Sequence, residues 1–299
     1  MPSSIPKSAT AMLSVDCPAV AASRFIPRLP TKLWIGGIVV LVLVALALFA
    51  PLIAPYPFDG MSMVDRFKPP GGPHWFGTDD YGRDVLSRTL YGARLSLIIG
   101  FGATLISLVV GVPLGLIAGF KRGRIDEWLM RGMDVLMSFP PIMLGLLVLA
   151  ATTPSLSKAV IAVGIVYVPV MVRITRSVTL DLVNEEFIQA ARARGERMAY
   201  ILAAEILPNA WPPIVVEASL RITFAILLGA ALSFVGMGAQ PPSSDWGLMI
   251  AEARPFIDRA PWIALAPGFA MCVTVIGVNL LGDGLREALD PRLQLSRAG

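Results

Sequence analysis

Charge is what this sequence has least of. Only 15% of its 299 residues are Asp, Glu, Lys or Arg, while 55% are apolar; an average soluble domain carries about 25% charge. A fold surrounded by water cannot hide so much apolar surface, and a disordered or nucleic-acid-binding chain needs far more charge. The 25 basic residues exceed the 21 acidic ones by only four, too few to imply an anionic partner. Cysteine is scarce too. Cys17 and Cys272 stand far apart, which excludes a disulfide framework and a CxxC metal pair. His74 is the single histidine, so zinc-hydrolase, His-triad and haem chemistry lose their residues. No GxxxxGK phosphate loop occurs, so the chain carries no nucleotide-hydrolysing motif of its own. No cofactor is expected.

What is present is long apolar runs. About 20 apolar residues cross the ~30 Å hydrocarbon core as a helix. Six stretches qualify: 33–54, 95–120, 135–151, 157–176, 213–237 and 261–284. The first follows Arg24, Arg28 and Lys32. It exceeds the roughly 7–15-residue core of a signal peptide, so it reads as an uncleaved span. The second carries Gly100, Gly102, Gly111, Gly115 and Gly119; small residues spaced near four predict close helix packing inside a bundle. Pro140 and Pro141 predict a kink in the third. The expected fold class is an all-α membrane protein with six transmembrane helices.

Six spans put both termini on one side. Segments 1–32, 121–133, 173–212 and 285–299 hold 16 of the 25 Lys and Arg residues; 55–94, 152–158 and 238–260 hold 8. The positive-inside rule makes the first set cytoplasmic. This predicts a cytoplasmic N-terminal tail (1–32), an outer loop (55–94), a membrane block (95–284) that includes a cytoplasmic segment (177–212), and a cytoplasmic C-terminal tail (285–299).

The segment 177–212 is the most informative. Asn184 is a good N-cap, Glu185 and Glu186 suit the positive end of a helix dipole, and Arg192 and Arg194 suit the negative end. Gly195 fits the left-handed position after the last turn. A short helix over 185–194 is expected, then a stretch from Met198 to Ile206 that Leu207-Pro208 should stop. Phe187, Ile188, Ala190, Ala191 and Ala193 give the helix apolar and small faces. It could lie on the membrane surface, or it could insert as a knob into a groove on a cytosolic partner.

Other polar residues have plainer readings. Glu217 and Arg221, spaced i and i+4 near the cytoplasmic start of the fifth run, read as a self-neutralised pair, with cargo contact as the alternative. Asp134 reads as interfacial and Asp283 as a local cap. The cluster Asp79, Asp80, Arg83, Asp84 and Arg88 could greet an outer partner or form a solvated turn. Met61, Met63 and His74 are weak candidates for a nickel contact.

Glu186-x3-Ala190-Ala191-x3-Gly195, followed by Ile201 and Leu207-Pro208, resembles the EAA signature of bacterial ABC importer permeases. Three more stretches resemble the dipeptide/oligopeptide/nickel permease family: Trp75 to Arg88, Leu232 to Pro242 with Trp246-Gly247, and Asn279 to Arg286 with Leu289-Asp290-Pro291. Four motifs in order over about 33–293 resemble its C-type subunit, the kind with an extra first span. The resemblance implies a type I importer fold and peptide cargo, with nickel, glutathione or another small solute as the alternative. It implies a homologous B-type permease, two cytosolic ATP-binding subunits, an extracytoplasmic solute-binding protein and an inner-membrane location. It implies no nucleic-acid partner. Glu186, Ala190, Ala191, Gly195, Leu207 and Pro208 are then the ATPase-docking positions of a coupling helix. Glu205, where a basic residue or histidine is common, and Gly229, where glutamate is common, depart from the pattern. A membrane enzyme is the distant alternative; it would need paired catalytic residues within spans.

Overall fold

The computed structural model describes residues 30–289. Most of both expected tails, including Cys17, Asp290 and Pro291, lies outside the described residues. Within them the chain is helical and has no strand, only isolated bridges at Gly71–His74 and Thr78–Asp84. In chain order the helices are α1 (Thr31–Leu48), α2 (Ala50–Ile53), α3 (Val85–Lys121), α4 (Gly123–Met137), α5 (Pro141–Ala150), α6 (Leu156–Leu182), α7 (Glu186–Ala193), α8 (Met198–Tyr200), α9 (Leu207–Phe234), α10 (Trp246–Ala253) and α11 (Trp262–Leu289). Five segments are long and apolar enough to cross a membrane: α1, α3, α6, α8 through α9, and α11. The pair α4 and α5 is a sixth if taken as one broken span, since the two helices meet at 92°.

Several helices outrun the apolar stretches that announce them. Helix α3 begins ten residues before the uncharged run, because Asp84 caps it by accepting the Ser87 N–H at 2.8 Å. Arg88 and Arg94 interrupt the hydropathy without interrupting the helix. The expected single kink at Pro140-Pro141 is a full break. Proline denies α5 its first donors and clashes with a continuing turn, so α4 swings away with no buried residue of its own.

The helix at Met198 does not stop at Leu207-Pro208. It widens into a π-helical stretch, Ile201–Ile206, and runs on into α9. There the Leu207 N–H reaches Leu202 O, five residues back. That wider turn removes the carbonyl clash a proline ring makes in an α-helix. The Asn209 amide donates to Glu205 O at 2.7 Å, satisfying a carbonyl near the ring.

Glycine sets the helix contacts. A Cβ on Gly111, Gly115 or Gly119 would come within 2.6–2.7 Å of Met171, Thr175 or Thr179. So α3 and α6 lie almost backbone to backbone, as the spacing predicts. Helix α1 rests on α11 in the same way, with Gly36 against Leu281 and Gly284 against Leu33. Its other faces expose Trp34, Ile38 and Leu41, suitable for lipid. Three apolar clusters hold the rest. One joins α5, α6 and α9; a second joins α7 to α6 and α9; a third joins α10 and α11 to α3.

Candidate functional site

Helix α7 sits between the ends of α6 and α9. Its N-cap is Glu185 rather than Asn184, and no side chain caps it. Asn184 is turned back instead, donating to Leu180 O at 3.3 Å and accepting from Arg122 at 3.3 Å. The far end closes as a Schellman motif. Gly195 takes φ +78° and donates to Arg192 O at 3.0 Å, while the Glu196 N–H reaches Ala191 O at 3.2 Å.

The two faces of α7 differ. Ile188 and Ala191 are fully buried against Val183, Ile201, Ile206 and Ala210. Glu186, Phe187, Ala190 and Gly195 are exposed, as is Pro208; Leu207 is half-buried. Ala191 therefore anchors the helix and cannot form part of its outer surface. The rest is a compact knob with a small-residue face, and Arg192 stacks over Phe120 at 4.6 Å. Glu205 lies 3.6 Å from Arg194.

At the opposite end of α3 the charged cluster is neither a solvated turn nor a surface. Asp79, Arg83, Asp84 and Arg88 are all at most 2% exposed. Asp79 accepts the Tyr81 and Arg83 N–H groups at 2.9 Å, Arg83 Nε at 2.6 Å and Arg88 Nη1 at 2.7 Å. Glu252 on α10 completes the network, accepting Arg88 Nη2 at 2.9 Å and Arg83 Nη2 at 3.1 Å. Buried charges persist only when paired like this. Burial also pushes the Asp80 carboxyl up from its ordinary range, and the neighbouring Asp79 charge adds to the effect. Sequence reasoning missed Glu252, because nothing local links it to a loop more than 160 residues earlier. Asp245 was missed too. It caps α10 through the Leu248 N–H at 3.3 Å, and burial raises its carboxyl. His74 is held by Asp84 at 2.9 Å, whereas Met61 and Met63 are exposed, so the three do not converge as ligands.

Glu217 and Arg221 form the expected pair, 2.7 Å apart, with Arg221 also over the Tyr167 and Phe224 rings at 5.5 and 4.8 Å. Asp134 pairs with Arg173 at 2.7 Å on an exposed face. Asp283 is exposed.

Residues 111–295 match the family model described as binding-protein-dependent transport system inner membrane component. The chain belongs to that family. This binding-protein-dependent transport component also matches, over 33–70, the N-terminal transmembrane domain of oligopeptide transport permease C. It is 45% identical over 260 residues to a dipeptide transport system permease of Alkalihalophilus pseudofirmus, covering 87% of this chain and 86% of that one. It is 42% identical to a di/tripeptide permease of Pseudomonas aeruginosa, covering 87% and 88%, and 37% identical to an oligopeptide permease of Bacillus subtilis, covering 87% and 85%. An inward-facing structure of the MetNI methionine ABC transporter superposes with TM-score 0.58 at 19% identity, over 69% of this chain and 96% of that chain. The fold is therefore that of a type I ABC importer permease. The transport component is a multi-pass inner-membrane protein with several spans and a transport role.

Proposed function

We propose that this chain is one of two permease subunits of an ABC importer for peptides. The arrangement of α7 carries the reading. It is a short helix, rigidly anchored by Ile188 and Ala191, closed by Gly195, and it presents Glu186, Phe187 and Ala190 outward. Such a knob fits a cleft on a cytosolic ATPase and transmits its motion to α6 and α9. Leu207 and Pro208 open α9, the helix into which the π-helical stretch continues. Both termini are then cytoplasmic, and the Asp79–Glu252 end faces the solute-binding protein. The partners are a homologous B-type permease, two ATP-binding subunits that hydrolyse the nucleotide, and that binding protein.

Relatives named for dipeptide, di/tripeptide and oligopeptide transport support peptide cargo. A glutathione permease relative from Pectobacterium atrosepticum, 42% identical, keeps that peptide-like solute as the second reading. Gly195→Val tests the docking. A β-branched residue at φ +78° costs at least about 1–2 kcal/mol and deforms the end of the knob. We expect the ATPase subunits to be lost from the purified complex while the two permeases still copurify. Full retention of the ATPases would remove α7 as the docking element.

A further inference from the structure

Inside the membrane block, one face of the bundle is unsuited to lipid. Arg221 lies well within the apolar span Met198–Phe234, thirteen residues before its end. It contacts Tyr167, eleven residues into α6. Leu136 and Leu144, which flank the α4–α5 break, pack in the same cluster as Tyr167. The break therefore packs into the same apolar cluster as Tyr167.

Ser138, Phe139, Pro140 and Pro141 are all exposed there. Irregular backbone cannot face hydrocarbon; at membrane depth it is tolerated only against protein or beside water. The exposed Asp134–Arg173 pair is as costly in lipid. Between the break and α9, the floor is Val170, Arg173, Ile174 and Ser177 of α6, all half-buried or exposed. A cavity of about 620 Å³ runs from there toward the start of α9 and the end of α11, lined by Ile174, Asn209, Glu217, Leu220, Arg286 and Leu289 among others.

Arg221 is incompletely used. Its Nε lies 2.7 Å from Glu217 Oε1 as an ion pair, yet is buried without a hydrogen bond of good geometry. A guanidinium offers its Nη groups as a fork matched to a carboxylate. Contact with the Tyr167 and Phe224 rings helps to hold the group in place.

We propose that the α4–α6–α9 face lines the translocation path, and that Arg221 receives the C-terminal carboxylate of a peptide passing along it. Glu217 neutralises the guanidinium while the path is empty. This rests on the peptide-importer reading above.

The test uses the assembled importer in proteoliposomes, offered an equimolar mixture of di- and tripeptides and the same mixture with amidated C-termini, with import read by mass spectrometry. Arg221→Gln should lower import of the free-acid peptides about tenfold or more, the worth of a charge-assisted pair of hydrogen bonds. Amidated peptides should be unaffected, and Arg221→Lys should restore part of the loss. Binding-protein-stimulated ATP hydrolysis should persist, which reports a folded, assembled complex. The double variant Glu217→Gln with Arg221→Gln separates the roles. A purely structural ion pair tolerates joint neutralisation, so wild-type import by the double variant overturns the inference. Import as low as in Arg221→Gln supports it. A wild-type complex that imports another solute but no peptide overturns the peptide reading itself.

Discussion

Asp79 accepts four hydrogen bonds inside a space closed to water, two from backbone and two from guanidinium groups. Replacing it by Ala would leave Arg83 and Arg88 buried with Glu252 as their main remaining partner. Breaking one side of a buried ion network costs about 3–5 kcal/mol. We expect Asp79→Ala to lower the thermal unfolding midpoint of the detergent-solubilised complex markedly. Phe76→Ala, on an exposed ring of the same motif, should leave the midpoint nearly unchanged. If both variants melt alike, the network is not what joins the loop before α3 to α10. Each charge in this loop was legible as a residue; its burial was not. A run such as Asp-Asp-Tyr-Gly-Arg-Asp has the composition of a solvated turn. Only a distant Glu252, and Gly82 allowing Ser62 to come within 1.8 Å of where a Cβ would stand, convert it to an interior.

At the scale of elements, apolar runs located the helices and misjudged their lengths. The run 95–120 stops where charge begins, but a helix continues wherever a cap and paired side chains support it, as Asp84 and Arg88 do for α3. The stop expected at Pro208 does not occur: a π-helical widening, which has no sequence signature, carries the helix on. Glycine spacing was the more faithful signal, since only a missing side chain lets two backbones approach. Gly115→Leu should drive a side chain into Thr175 and Val172, already 2.6 Å from a Cβ. Overpacking of this kind costs about 1–3 kcal/mol or more. The expected result is a lower yield of assembled complex on size-exclusion chromatography, whereas Gly132→Leu, with open space around it, should assemble normally.

For the whole molecule, α1 stands apart. It buries only Gly36 and Ala47 and leans on α11, while the family match to the transport component begins at residue 111. Gly36→Leu should detach α1 from α11 without disturbing α7. An engineered cysteine pair across α1 and α11, in a background lacking Cys17 and Cys272, should then crosslink poorly, while the ATPase subunits still copurify. Loss of both together would mean that α1 is integral to the core.

The amino-acid order alone determined that this chain is a helical membrane protein, which runs are apolar enough to enter the bilayer, where the short helix α7 lies and which glycines mate helices. Those properties are local: hydropathy, spacing of small residues and helix-end chemistry are written within a few turns. The tertiary structure alone decided that Ala191 points inward, that the charges before α3 are an interior network closed by Glu252, and that the α4–α5 break packs into the Tyr167 cluster. Each of these depends on which distant side chain arrives to exclude or replace water, and no local pattern encodes that arrival.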